Sequence, residues 1–107
     1  MANLNVMTPS PGVELPLDKI AEICRKYSVR EMGIFGSAAR GEATSESDID
    51  ILLDFLPDSG MSLFRLDDLN RELEEVLGRR VDLASKRGLK KRVRPHVMHD
   101  LRIVYEA

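Results

Sequence analysis

Asp48 and Asp50 stand two residues apart in the run Ser47-Asp48-Ile49-Asp50-Ile51. On a strand, residues two apart share a face and lie about 6.6 to 7 Å apart along it. Their carboxylates can then converge on one cation. Magnesium takes oxygen ligands at about 2.0 to 2.1 Å and is usually held by one or two carboxylates together with substrate phosphates. A third carboxylate, Asp82 in Val81-Asp82-Leu83, would admit a second ion. Two ions about 3.5 to 4 Å apart can clamp the attacking and leaving oxygens of an in-line phosphoryl displacement. Asp54 is not part of this set, because at about 3.3 Å per residue it lies about 13 Å along the strand from Asp50. Taken alone, an Asp-x-Asp pair is more often a polar strand face or a turn than a metal site, so its context decides.

That context is a turn upstream. Gly36-Ser37 is a pair at which the backbone can reverse with its amides exposed, and those amides and the hydroxyl can hold phosphate oxygens. Ala38 to Arg40 can open a helical turn whose positive end favours an anion, and Arg40 adds a permanent charge suited to phosphate. Most Gly-Ser pairs are plain turns, and Arg40 can equally be structural.

The elements that must position these groups are legible as periodicities. Leu17, Ile20, Ala21, Cys24 and Tyr27 recur at steps of three and four after Pro16, which predicts an amphipathic helix over Leu17 to Tyr27. Glu31 to Phe35 reads as a short strand ending at Gly36-Ser37. From Asp48 to Phe55, Ile49, Ile51, Leu53 and Phe55 alternate with Asp48, Asp50, Leu52 and Asp54, the period of a strand with one core face and one acidic face. Pro57 to Gly60 break the chain. Leu66, Leu69, Leu73, Val76 and Leu77 then mark a helix with Ser62 as its cap and Gly78 as its stop. Arg80 to Ala84 has strand character, with Asp82 facing away from Val81 and Leu83. Leu89, Val93, Val97 and Leu101, interrupted by Pro95, predict a kinked helix or two short ones, and Arg102 to Tyr105 a closing strand. Thr8 to Gly12 is turn-rich, so residues 1–15 are expected to be a mobile leader and residues 16–107 the domain. The class is α/β or α+β: helices packed on one small mixed sheet.

Bulk properties set limits. The 107 residues allow one core, and 43% apolar with 32% charged residues is the balance of a soluble globular chain. There is no stretch of membrane-spanning length and no secretory layout at the N-terminus, which points to the cytoplasm. The single Cys24 falls on the apolar helix face and reads as core. The net charge of −2 lacks the positive field of a protein that lives on nucleic acid. Lys86, Arg87, Lys90, Lys91, Arg92, Arg94 and Arg102 nevertheless crowd the last quarter. That segment suits a partner or triphosphate-steering surface or a solvated helix face; it has no interleaved aromatics to stack RNA bases. His96 and His99 lie at helical spacing without further ligands, and no catalytic role is assigned to them.

The run Gly36-Ser37-Ala38-Ala39-Arg40-Gly41, followed by Ser47-Asp48-Ile49-Asp50-Ile51 and by Val81-Asp82-Leu83, resembles the signature of minimal nucleotidyltransferases, the MNT group of the DNA polymerase β superfamily, from about Leu17 to Tyr105. The resemblance implies a polymerase β palm-like fold. It also implies a triphosphate of ATP against Gly36 and Ser37, contact of Arg40 with that triphosphate, and one or two magnesium ions held by Asp48, Asp50 and Asp82. Minimal members are commonly partnered with HEPN proteins, helical ribonuclease toxins, and some act as antitoxins that attach AMP to a toxin tyrosine. On this resemblance the expected activity is transfer of AMP from ATP to a hydroxyl of a HEPN-type toxin, with nucleic acid not expected as a direct substrate. Neutralisation of a toxin by binding alone, and transfer to a small molecule, are the alternatives. Arg94 and His99 match the loose Arg-x4-His spacing of HEPN ribonucleases, but a proline follows the arginine and chance explains the match better.

Overall fold

Two strands open the described part of the chain, residues 5–107 of a computed structural model. They are β1 (Val6–Ser10) and β2 (Val13–Pro16), paired antiparallel across a turn in which Gly12 takes φ 79°. This corrects the expected leader: Val13, Leu15 and Ser10 are buried, and the hairpin packs on three helices. Pro9 and Pro11 are tolerated because the hairpin is a two-stranded edge structure with a register shift between Met7 and Ser10. The first four residues of the expected leader lie outside the described part.

Helix α1 (Leu17–Lys26) follows directly and buries Ile20, Ile23 and Cys24. Strand β3 (Val29–Phe35) leads into α2 (Gly36–Ala39), a single helical turn, and then through an exposed loop to β4 (Ile49–Phe55). Helix α3 (Leu63–Leu77) begins on Ser62, whose hydroxyl accepts the Arg65 amide at 3.2 Å, and ends on left-handed Gly78 at φ 66°. Strand β5 (Val81–Ser85) is followed by a turn of 3-10 helix at Lys86–Gly88, then α4 (Arg94–Asp100) and β6 (Arg102–Glu106). Pro95 does not kink a longer helix; it sits in the first turn of α4, where its missing amide costs no hydrogen bond.

The four-stranded sheet has the order β5-β4-β3-β6, with β4 and β5 parallel and the other pairs antiparallel. One face carries α1 and α3. There Met32, Ile34, Ile49, Ile51, Leu53 and Val81 meet Ile20, Cys24, Leu69 and Leu73 in one apolar cluster. The other face carries the carboxylates and also an apolar patch of its own. Leu52 and Val97 are buried apart from that cluster, and a side chain on Gly33 would run into Leu101. Helix α4 thus covers part of the second face and leaves the end with the carboxylates open.

Candidate active site

The parallel register is what gathers the acidic residues. Asp50 on β4 lies directly across from Asp82 on β5, and neighbours across a ladder project to the same face. Asp82 therefore does not share the side of Val81, which is buried toward the helices. Asp48 precedes the first ladder residue, Ile49, and is exposed. Burial raises Asp50 above the ordinary carboxylate range, and the charges of Asp82 and then Asp48 push in the same direction, with Arg40 partly opposing.

On the other side of β4, Phe35 pairs with Asp50, which brings the end of β3 against the site. Gly36 follows in left-handed backbone at φ 71°, and a Cβ there would overlap the Oδ2 of Asp50. A side chain here would be strained by the backbone and would have to push the Asp50 carboxylate aside. The chain then enters α2, whose first amides have no upstream helical carbonyl to bond. Ser37 is half-buried at that start, and its carbonyl accepts the Glu42 amide at 2.9 Å.

Arg40 is engaged within the chain. Its Nη1 donates to Asp100 at 2.7 Å and its Nε to Glu42 at 3.2 Å, tying α2 to the end of α4. The distant acidic residue, Asp54, lies at the far end of β4 beside Arg87, 3.9 Å away. His96 and His99 are exposed on α4. Lys86 pairs with Glu31 at 3.5 Å, and Arg94 Nη2 donates to the Lys86 carbonyl at 3.1 Å, so part of the basic segment serves its own folding. Cys24 is fully buried, and burial pushes its thiol up to about 12.

Among the described residues no three His, Cys, Asp or Glu side chains are grouped to enclose an ion unaided. The donor set fits magnesium in its usual mode, with one or two carboxylates completed by substrate phosphates. Gly36, having no side chain, lets the Asp50 carboxylate lie against its backbone. Two residues that hydrogen-bond the loop before β4 gave no sequence signal: Ser10, inside a turn-rich run, and Arg79, one cation among 16. No described helix is long and apolar enough to cross a membrane.

Known proteins resemble this chain in sequence and in fold. Residues 17–104 match the family model described as nucleotidyltransferase domain. Protein adenylyltransferase MntA of Thermococcus cleftensis is 42% identical over 80 residues, 75% of this chain and 79% of the relative. A solved structure of a candidate minimal nucleotidyltransferase superposes with a TM-score of 0.70 at 36% identity, over 80% of this chain and 86% of that one. A toxin–antitoxin crystal structure with AMP-PNP shares the fold, with a TM-score of 0.72 at 22% identity over 87% of this chain and 75% of that one. With its carboxylates in register beside the glycine corner, this chain belongs to the nucleotidyltransferase domain family.

Proposed function

We propose that this chain is a cytoplasmic, magnesium-dependent protein adenylyltransferase that moves AMP from ATP to a hydroxyl of a HEPN-type ribonuclease toxin and thereby acts as its antitoxin. The observation that carries the reading is the placement of Asp50 and Asp82 side by side next to Gly36. The relative named protein adenylyltransferase MntA supports the protein acceptor. So does a tri-AMPylated HEPN toxin from Shewanella oneidensis, known in complex with an MNT antitoxin.

In this reading Gly36 and Ser37 seat the triphosphate, and Asp48 and Asp50 hold magnesium, with Asp82 completing a second site. Arg40, though paired with Asp100 and Glu42, lends positive charge to that seat. Magnesium, when bound, neutralises charge developing on the phosphates. The acceptor oxygen bonds to the α-phosphorus as the bond to the bridging oxygen breaks, pyrophosphate leaves with that oxygen, and Asp82 accepts the hydroxyl proton. A cleft between α3 and β5 is lined by Leu63, Leu66, Asp67, Asn70, Val81, Asp82 and Leu83. At its rim Leu63 is 84% exposed and the adjacent Phe64 86%. An apolar rim of that kind favours a protein surface over a small polar acceptor.

Mass spectrometry of a co-expressed HEPN toxin should show added AMP, which disappears, together with protection of the cells, when Asp48 and Asp50 are both changed to Ala. Full protection by the double variant, with unmodified toxin held in a stable complex, would instead establish neutralisation by binding.

A further inference from the structure

Two of the three carboxylates are held by a sheet ladder and one is not. Asp50 is fixed between Phe35 and Asp82. Asp48 stands at the end of a largely exposed loop, one residue before β4 begins. The peptide that leaves it is held by the bond from the Ile49 amide to the Arg80 carbonyl, so the peptide that enters it needs another hold.

The loop has two attachments. Upstream, buried Ala43 donates its amide to Ser10 Oγ at 3.3 Å, and that hydroxyl donates to the Ala38 carbonyl at 2.8 Å, so the N-terminal hairpin holds the loop and α2 together. Downstream, residues 44–47 close on themselves: the Ser47 amide donates to the Thr44 carbonyl at 3.1 Å, and the Thr44 amide to Ser47 Oγ at 2.9 Å. The Thr44 and Ser47 carbonyls then both accept from Nη1 of Arg79, at 2.6 and 3.1 Å, while Nη2 reaches the Gly12 carbonyl at 3.5 Å. The Ser47 carbonyl belongs to the peptide that enters Asp48. Around the same corner, Glu74 accepts the Val81 amide at 2.9 Å, and the Arg80 carbonyl accepts the Ile49 amide at 2.9 Å.

From this geometry we infer that Arg79 is a positioning residue for Asp48: it fixes the peptide preceding that carboxylate and so sets the metal-binding geometry from outside the site. The inference rests on Asp48 as a metal ligand. A guanidinium suits the task, because its planar fork presents several donors in fixed directions and stays charged at any working pH. Outer groups that orient ligands typically cost about 10- to 100-fold in metal affinity or activity when removed.

The test is a manganese titration of the full chain with α,β-methylene-ATP, followed by paramagnetic resonance, for wild type, Arg79→Ala, Asp48→Asn and the double variant. Arg79→Ala should weaken manganese binding about tenfold. In the Asp48→Asn background the same change should add almost nothing, since contributions made through one group do not add. Additive losses, or an Arg79→Ala chain that binds as tightly as wild type, would overturn the inference. Hydrogen exchange without metal gives an independent reading: amides 46–48 should exchange faster in Arg79→Ala while Ile51 and Leu53 keep their protection. If Arg79→Ala loosens the whole sheet, Arg79→Lys is read in its place. It keeps the charge and one donor nitrogen, and its smaller loss must likewise vanish beside Asp48→Asn. A wild type that binds no manganese with the analogue sinks the reading of the site itself, and unchanged exchange at 46–48 then sinks the clamp as well.

Discussion

The two faces of β4 are ordered by opposite means. Toward α1 and α3, Ile49, Ile51 and Leu53 meet apolar neighbours, and at that layer's rim Tyr27 pairs with Glu72. Tyr27, buried at the end of α1, donates to Glu72; that bond first, with burial adding to it, pushes the phenol up to about 12 and holds the Glu72 carboxyl below its usual range. On the opposite face Asp50 is pushed up by burial and by two like charges. The helix side stabilises the fold, whereas the carboxylate side stores repulsion that a cation would relieve. Damage to the first should cost folding, and damage to the second should cost chemistry.

The largest expected effect tests the helix side. Leu73 is fully buried in the main cluster, and Leu73→Ala should destabilise the fold by about 2–5 kcal/mol through lost transfer energy and the cavity left behind. Denaturant melts measure this, and the folded fraction should transfer AMP at the wild-type rate. A folded fraction with impaired turnover would mean that the two faces are coupled.

Gly36→Ala strikes the other side. The left-handed backbone adds about 1–2 kcal/mol of strain, a smaller stability loss than that of Leu73→Ala. The new methyl must displace the Asp50 carboxylate, and a misplacement near 1 Å can cost about a hundredfold in rate. Single-turnover AMP transfer by the purified variant checks it, and near-normal turnover would break the contrast.

The smallest effect is a gain. Folded Asp50 binds its proton more tightly than the unfolded chain does, so its contribution to stability is lost as pH rises from the unfolded carboxylate value, about 4, through the raised folded one. In chelator at neutral pH, Asp50→Asn should therefore melt above wild type, with the difference closing as the solution is acidified below that window. A variant that melts lower at neutral pH would show Asp50 to be structurally paired.

Most of the frame was legible because it rests on period and punctuation. The alternation after Asp48, the three-four spacing after Ser62 and the stop at Gly78 each gave an element within a few residues of its place. The N-terminal hairpin was not legible: Thr8 to Gly12 has the composition of a loop, and Val13 and Leu15 form too short an alternation to outweigh it. Asp48, Asp50 and Asp82 were marked by their order along the chain, but facing of Asp50 and Asp82 depends on parallel register, which no local pattern encodes. Beside the glycine motif, Arg40 suits a phosphate contact or a structural role equally; its ties to Glu42 and to Asp100, sixty residues downstream, are visible only in three dimensions.

Between the left-handed end of α3 and the first residue of β5 there are only Arg79 and Arg80. The facing of Asp82 is therefore encoded in a residue count as much as in residue identity. One residue inserted or deleted in that connector would shift β5 by a single step against β4, turn Asp82 toward the helices and carry an aliphatic neighbour into its place. Seven residues, 56–62, join β4 to α3, and a length change there leaves the Asp50–Asp82 pairing intact. The connector before α3 can thus change length without disturbing the carboxylate pair, and the one after it cannot.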